Sequence, residues 1–324
     1  MTRKTLRLKA ARHKGQKHVD EVVDNVTDGD PKKRFFNGIA INPSPRINLE
    51  SGSPKLTTRA IDLITPIGMG QRGLIVAPPG SGKTTLLKQV CQAVGNAYPE
   101  IKLYALLIDE RPEEVTDFKR SVPAQVHASS SDESYEQHVR VANELLDAAC
   151  RVAGEGHNVM IVIDSLTRLS RVHNAERKSS GRTLSGGVDA RALEIPRKLF
   201  GAARKIENGG SLTILATILV DTGSRMDQVI FEEFKGTGNM EIVLSRETAN
   251  QRVFPAVDIA KSSTRREELL LNPKDFKRVR ALRRALSSSN SVANTARLIE
   301  LLREYSTNSD LLSAIDKDVL SSKS

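Results

Sequence analysis

The residues best suited to chemistry form a glycine-rich segment, APPGSGKTT, from Ala77 to Thr85. Its spacing matches the phosphate-binding loop G-x-x-x-x-G-K-[ST], except that Ala77 replaces the first glycine. In such a loop, backbone N–H groups and the N-terminus of the next helix bind phosphate oxygens. We therefore predict a nucleotide phosphate site, with a plain glycine turn as the alternative. The expected binding residues are Pro79, Gly80, Ser81, Gly82, Lys83, Thr84 and Thr85.

Two side chains of this segment, and two carboxylates elsewhere, have the chemistry for specific roles. The ammonium group of Lys83 can contact the β and γ phosphates, and the hydroxyl of Thr84 can bind Mg²⁺. Two aliphatic runs end in acids, VMIVID at Asp164 and LYALLIDE at Glu110. We expect Asp164 to hold the metal and its water shell, and Glu110 to act as general base on the attacking water. The alternatives are a helix cap for Asp164 and an exposed ion pair for Glu110.

Aliphatic runs that alternate with amphipathic stretches must position these groups. Near-continuous aliphatic runs are typical of strands covered on both faces, and their alternation with helices indicates a parallel sheet with right-handed crossovers. The fold class is therefore α/β, and the carboxyl edge of the sheet is where its ligands should bind. The predicted strands are 73–77, 103–109, 159–164 and 212–220, and the predicted helices are 84–93, 133–153 and 189–207.

Length and charge limit the class of protein. The 324 residues, 39% of them hydrophobic, suffice for one substantial core, and the net charge of +10 favours a polyanionic partner. Only Cys91 and Cys150 are present, without the spacing of a metal site or disulfide framework. No apolar run approaches the roughly 18 residues that span a bilayer, and no secretory signal is evident. We expect a cytoplasmic protein that makes no membrane contact.

The chain divides into three zones. Residues 1–54, here called the arm, begin with seven Lys and Arg residues before the first acid. The arm is predicted to be partly disordered; its open interpretations are a phosphate-contacting tail, a solubilising leader, and a short collar packed on the core. The collar would use Phe35, Phe36, Ile39 and Ile41. Residues 55–271 form the predicted ATPase motor, and residues 272–324 a helical extension packed on it.

Several long segments carry a more specific signal. They are PIGMGQRGLIVAPP, LLIDERPEEVTDF, IDSLTRLSRVHN, SSGRTLSGGVDA and LVDTGSRMDQVIFEEFKGTGNMEI. Through them, residues 56–271 resemble the transcription termination factor Rho family. The resemblance implies a RecA-like P-loop core that uses ATP and Mg²⁺ and acts as a hexameric ring on single-stranded RNA. It also implies RNA polymerase or transcription elongation factors as further partners.

The resemblance assigns roles to individual residues. Glu110 matches the family's catalytic glutamate, and Phe254 matches a phenylalanine that stacks on adenine. Arg265 matches an arginine finger that reaches the neighbouring subunit's ATP. Arg252 matches a second phosphate-sensing arginine, and Arg168 one that links the nucleotide to the ring interior. Without the family, Phe254 would be interpreted as a core residue and each arginine as a surface residue.

Two polar loops match those that line the ring's pore. The segment SSGRTLSGGVDA (179–190) would contact RNA, and TGSRMD (222–227) would lie beside it. Small residues allow close backbone approach, and arginines supply charge for a single strand. A mobile surface linker is the alternative for the first loop. The expected RNA-binding residues are Arg182, Thr183, Leu184, Ser185, Gly186, Gly187 and Arg225.

The sequence departs from the family at two places. Gly80 stands where a lysine is usual, which removes one charge near the phosphates while Lys83 remains. The 54 residues before the motor are too few for the family's oligonucleotide-fold RNA-binding domain, so we expect RNA loading through the basic arm or a partner.

Three hypotheses for function remain. The first is an ATP-driven translocase on single-stranded RNA, and the second is a ring ATPase of the rotary or secretion kind. The third is a regulatory, non-catalytic member of a Rho ring. Retention of Lys83, Glu110, Asp164 and Arg265 disfavours the third hypothesis.

Overall fold

The protein is built around one β-sheet, in which seven strands lie side by side along the main path. The computed structural model describes residues 29–176, 185–189, 191–287 and 290–321. The path runs β11-β10-β4-β9-β7-β5-β6; all its pairings are parallel except the one between β11 and β10, and β8 pairs with both β9 and β1. The strands are β1 Ala40–Ile41, β2 Arg46–Ile47, β3 Ile67–Gly68, β4 Arg72–Ala77, β5 Lys102–Glu110, β6 Gln125–Ser130, β7 Asn158–Asp164, β8 Arg204–Ile206, β9 Ser211–Leu219, β10 Met240–Val243 and β11 Ser263–Thr264.

Helices cover both faces of the sheet. Two hydrophobic clusters form as a result, one on each face, because the aliphatic side chains of each strand alternate between the faces. The helices are α1 Pro31–Asn37, α2 Leu56–Ile64, α3 Lys83–Ala97, α4 Pro112–Ser121, α5 Tyr135–Gly154, α6 Leu166–Glu176, α7 Glu194–Gly201, α8 Arg225–Lys235, α9 Arg246–Asn250, α10 Pro273–Ala285, α11 Ser291–Glu304 and α12 Asn308–Ser321.

The four strands predicted from aliphatic runs are confirmed as β4, β5, β7 and β9, each within one residue at either end. The helix predicted over 189–207 is wrong at both ends. Only Glu194–Gly201 is helical, and the chain then forms β8, which pairs antiparallel with the start of β9. Amphipathic spacing alone cannot show this, because the partner strand of β8 lies further along the chain.

Part of the arm packs on the core. Asp30 caps α1 by accepting a hydrogen bond from the Lys32 N–H, and α1 lies against α5. Phe35 is buried, whereas Phe36, Ile39 and Ile41 are exposed, and Ala40–Ile41 pairs with β8, so a short collar does form on the core with Phe35 as its buried residue. Ile47 and Leu49 also join the hydrophobic cluster of the motor.

The last three helices pack on the face that carries α2. Leu298, Ile299 and Leu302 of α11 are buried. The Arg59 side chain of α2 donates to Asn308 Oδ1 at 3.2 Å and ties α12 to the motor. Within the residues that the structure describes, no helix is both long and apolar enough to span a membrane.

Candidate active site

The phosphate-binding loop follows β4 directly and precedes α3. Gly80 and Gly82 have φ values of 76° and 91°, a region that favours glycine. Gly82 is the N-cap of α3, so the loop delivers the helix N-terminus to the carboxyl edge of the sheet. Ala77 pairs with Leu219 as an ordinary strand residue. Alanine in place of the first glycine therefore does not disturb the loop, because no unusual backbone angle is required at that position.

A buried cluster joins the loop to the end of β7. Lys83 Nζ lies 2.7 and 2.8 Å from the two oxygens of Asp164, and the Thr84 hydroxyl donates to Asp164 Oδ2 at 3.1 Å. Thr217 on β9 donates to Asp164 Oδ1 at 2.8 Å and holds the carboxylate in place. Asp164 is only 1% exposed. Sequence analysis missed Thr217, although a hydroxyl within the aliphatic run LTILATILV was a signal.

Glu110 reaches the same cluster because the end of β5 is irregular. The pairing of β5 with β6 shifts between Ile108 and Glu110, and Asp109 has a φ of 57°. Such a bulge re-aims the next side chain. Glu110 is 3% exposed, and its Oε1 lies 3.7 Å from Lys83 Nζ and 3.1 Å from Arg168 Nε.

The environment of Glu110 suits an acid–base role. Burial is the largest cause that raises the pKa of Glu110 to about 7, and the nearby Asp164 carboxylate raises it further. Lys83 and Arg168 act in the opposite direction. Neither carboxylate oxygen of Glu110 accepts a hydrogen bond from a described residue. Both oxygens lie inside the protein, and Oε1 is the oxygen that forms the ion pair with Arg168 Nε.

Helix α6 connects this cluster to the two polar loops. The Arg168 guanidinium pairs with Glu110 and donates to the Asp109 carbonyl oxygen. One turn further, Arg171 Nε donates to Asp227 Oδ1 at 2.8 Å near the start of α8. Asn174 donates to the Gly187 carbonyl at 3.2 Å and accepts from the Asp189 N–H at 2.8 Å. Sequence analysis missed Arg171 and Asn174, whose i+3 and i+6 spacing from Arg168 was the available signal.

The described parts of the two polar loops contact each other. Residues Ser185–Gly187 form a 3-10 turn, and Gly186 has a φ of 74°. A Cβ atom on Gly186 would lie 2.9 Å from the carbonyl of Arg225, so the turn packs on the first residue of α8. Arg225 follows Ser224, whose hydroxyl caps α8. The predicted RNA contacts Arg182, Thr183 and Leu184 lie outside the described residues.

A cavity of about 660 Å³ opens beside the phosphate-binding loop. Phe254 lines it and is 42% exposed, and its ring lies 3.6 Å from the position of a Cβ on Gly82. Leu86 and Pro255 provide further apolar surface, and Thr85 and Gln89 provide polar groups. An exposed aromatic ring in an apolar cavity next to a phosphate site has the form of a nucleobase platform. Phe254 is thus not a core residue.

Arg252 and Arg265 lie at opposite ends of the sheet. Arg252 is exposed and follows β10 and α9 at the carboxyl edge, two residues before Phe254. Arg265 follows β11, which runs antiparallel to β10, and its N–H bonds to Asn239 just before β10 begins. This end of the sheet lies beside Arg72, the first residue of β4. Because β4 has six residues, the phosphate-binding loop at its other end is about 17 Å away. Arg265 therefore cannot serve its own subunit's loop.

The donor set fits a Mg²⁺ ion bound together with phosphates. Thr84 and Asp164 offer one hydroxyl and one carboxylate, and Mg²⁺ commonly takes one or two protein oxygens plus phosphates and water. No group of three or more His, Cys, Asp or Glu side chains suited to a metal occurs among the described residues.

Comparison with known proteins agrees with this geometry. The model of the ATP synthase alpha/beta family, nucleotide-binding domain, matches residues 57–264. Transcription termination factor Rho of Streptobacillus moniliformis is 51% identical, with 86% of this chain and 68% of that protein covered. The Rho of Streptomyces coelicolor is 50% identical, with 91% and 71% covered. The chain belongs to the transcription termination factor Rho family.

The fold of this Rho-family chain is shared beyond the family. An ATPase of the type III secretion system superposes with a TM-score of 0.68 at 23% identity, covering 86% of this chain and 85% of that one. The assembled ATPase EscN of enteropathogenic E. coli gives a TM-score of 0.68 at 22% identity, with 86% and 72% covered. These likenesses show the α/β fold of the chain and nothing about its substrate.

Proposed function

We propose that this chain is an ATP-driven RNA translocase that acts in transcription termination. The observation that carries the proposal is the continuity of α6. Through Arg168 this helix holds the catalytic carboxylate, and through Arg171 and Asn174 it holds both polar loops. An ATPase whose hydrolysis was not coupled to these loops would not need one helix to bind the carboxylate and both loops.

Hydrolysis uses the buried cluster at the carboxyl edge. The backbone of the glycine-rich loop and Lys83 bind the phosphates, and Lys83 exchanges the Asp164 carboxylate for phosphate oxygens when ATP enters. Glu110 accepts a proton from the attacking water as the water oxygen bonds to the γ phosphorus, while the bond from this phosphorus to the β–γ bridging oxygen breaks and ADP leaves; Arg168 holds Glu110 in place. Thr84 and Asp164 would hold Mg²⁺, which would neutralise charge on the phosphate oxygens when bound. Phe254 stacks on the adenine.

The catalytic site is shared between subunits. Arg265 lies at the end of the sheet opposite its own phosphate-binding loop, yet an arginine that stabilises phosphoryl transfer must contact the phosphates. A neighbouring copy supplies that contact when subunits assemble head to tail, and repetition of the contact closes a ring. We propose a homohexamer, in which Arg252 senses the phosphates from within the same subunit.

Single-stranded RNA passes through the centre of this ring. Ser185, Gly186 and Gly187 approach the strand with their backbone, and Arg225 neutralises phosphates; Arg182, Thr183 and Leu184 complete the proposed contact. We place the protein in the cytoplasm, where transcripts leaving RNA polymerase would be its substrates. Contacts of this kind do not read bases, so sequence preference should be weak.

Steady-state ATP hydrolysis with and without single-stranded RNA tests this function. We expect stimulation of at least tenfold, lost at high salt because the contacts are to phosphates. A secretion-type ATPase, which shares the fold, would hydrolyse ATP at a rate that RNA leaves unchanged. That result, obtained with assembled protein, would reject the translocase.

A further inference from the structure

The backbone next to Arg265 is held by the pairing of β11 with β10 and by the Thr264 hydroxyl, which donates to the Pro66 carbonyl at 2.9 Å, whereas Arg265 itself is held by Asn239. The side chain of Arg265 is exposed, and its backbone N–H donates to the Asn239 carbonyl at 2.9 Å. Because the arginine side chain is long, a small tilt of its backbone produces a large displacement of the guanidinium group. The placement of the guanidinium group in a neighbouring site therefore depends on how firmly Asn239 is fixed.

Asn239 is fixed by a set of amide hydrogen bonds. Its Oδ1 accepts from the Arg72 N–H at 2.9 Å and from Gln71 Nε2 at 2.6 Å, and its N–H donates to the Arg72 carbonyl at 2.9 Å. Gln71 Nε2 also lies 3.2 Å from the Asn239 carbonyl that holds Arg265. We call Gln71 and Asn239 the amide clamp.

The amide clamp is itself anchored in the core. Gln71 is fully buried, its Oε1 accepts from the Gly68 N–H at 3.1 Å, and its carbonyl accepts from the Ile214 N–H at 2.9 Å. The clamp therefore ties Arg265 to β3, β4 and β9 as well as to β10. A buried side chain with this many bonds has a single arrangement.

The charges around the clamp leave Arg265 available to an outside anion. Burial lowers the pKa of Arg72, and the neighbouring Arg204 and Arg265 lower it further. Within the described part of the chain, none of these three guanidinium groups forms an ion pair with a carboxylate. The exposed Arg265 guanidinium group can therefore bind an anion outside this part of the chain, such as a phosphate of a neighbouring subunit.

We propose that Asn239, held by Gln71, is a positioning residue for hydrolysis in the neighbouring subunit, and that it acts by fixing the backbone of Arg265. The inference rests on the proposed role of Arg265 across the interface. Misplacement of a catalytic group by about 1 Å costs about 100-fold in rate, while substrate binding through the neighbour's own loop is retained.

A double-mutant cycle tests this role in the assembled protein. Asn239→Ala is expected to lower kcat by about 10- to 100-fold and to weaken binding of ADP with aluminium fluoride, with the KM for ATP within about threefold. In an Arg265→Ala background, the same change should lower kcat by less than about twofold, because the group it positions is absent.

Asn158→Ala is the matched control. Asn158 begins β7 at the same end of the sheet and accepts a hydrogen bond from the Ser211 hydroxyl at 2.8 Å, without contact to Arg265. Wild-type kcat is expected for this variant, together with unchanged oligomer mass. If Asn239→Ala does not assemble, Gln71→Met, which removes both amide bonds to Asn239, takes its place in the cycle.

The outcomes separate the two claims. An equal loss of kcat from Asn239→Ala in both backgrounds, or no loss in either, overturns the positioning role. Wild-type kcat in Arg265→Ala instead overturns the proposed role of Arg265, on which the inference depends. A loss confined to the background that retains Arg265 supports both.

Discussion

Glu110, the proposed general base, owes its position to a local irregularity of the backbone. In a regular β5, the side chains of Asp109 and Glu110 would alternate between the two faces of the sheet, and Asp109 would pair with a residue of β6. The left-handed backbone at Asp109 instead brings Glu110 to Lys83 and Asp164. Burial among these groups gives a carboxylate whose pKa matches its task as a base.

The pH dependence of hydrolysis should follow Glu110. Since the base must be ionised and its pKa is raised to about 7, kcat should fall as pH drops through 7 and level off above it. Glu110→Gln should lower kcat by about 100- to 10,000-fold while ATP still binds. Asp117→Asn, an exposed acid paired with Lys88, is the control and should match wild type. A flat kcat profile between pH 6 and 8 would contradict the assignment.

Phe254 should contribute to nucleotide binding and not to the chemical step. Phe254→Ala is expected to raise the KM for ATP by about 5- to 50-fold, since loss of aromatic stacking and apolar contact costs about 1 to 2 kcal/mol, with kcat nearly unchanged. Phe36→Ala removes an aromatic ring of similar exposure far from the loop and serves as control. Equal KM values for the two variants would argue against a base platform at Phe254.

At the scale of the element, α6 connects the carboxylate of Glu110 to the two polar loops that we propose as the RNA contacts. Its residues at positions 168, 171 and 174 lie on one face, so a shift of the helix alters the catalytic carboxylate and the loops together. Packed helices have discrete arrangements, which makes such an element suited to transmit binding.

Asn174 tests this connection without touching the catalytic cluster. Asn174→Ala should reduce the stimulation of hydrolysis by RNA about fivefold or more, because it releases Gly187 and Asp189, while the rate without RNA stays near wild type. The rate is measured over a titration of single-stranded RNA. Undiminished stimulation would mean that the loop is held by other contacts.

The sequence was sufficient to predict the parts of the site that lie within single short segments. The glycines of the phosphate-binding loop and the acids that end β5 and β7 lie within single segments, so spacing alone located them. The support from Thr217, the bulge at Asp109 and the bonds of Asn239 depend on which strands pair, and this is set by packing across distant segments. The helix predicted over 189–207 was wrong at both ends for the same reason.

At the scale of the whole molecule, the sheet separates two functions. Its carboxyl edge carries the phosphate-binding loop, Glu110 and Phe254, while its other end carries Arg265 and the amide clamp. In the proposed ring, each subunit therefore contributes to two catalytic sites, one at each end of its sheet. The net charge of +10 adds a general attraction to RNA, whose strength should fall with salt.

Displacement of a DNA oligonucleotide annealed to RNA with a single-stranded tail tests the translocase most directly. Wild-type protein should release the oligonucleotide only with ATP, and Lys83→Ala, which loses the phosphate contact, should bind RNA without releasing it. Release that is equally fast without ATP, or no release by a wild-type assembly that hydrolyses ATP on the same RNA, would contradict an ATP-driven translocase.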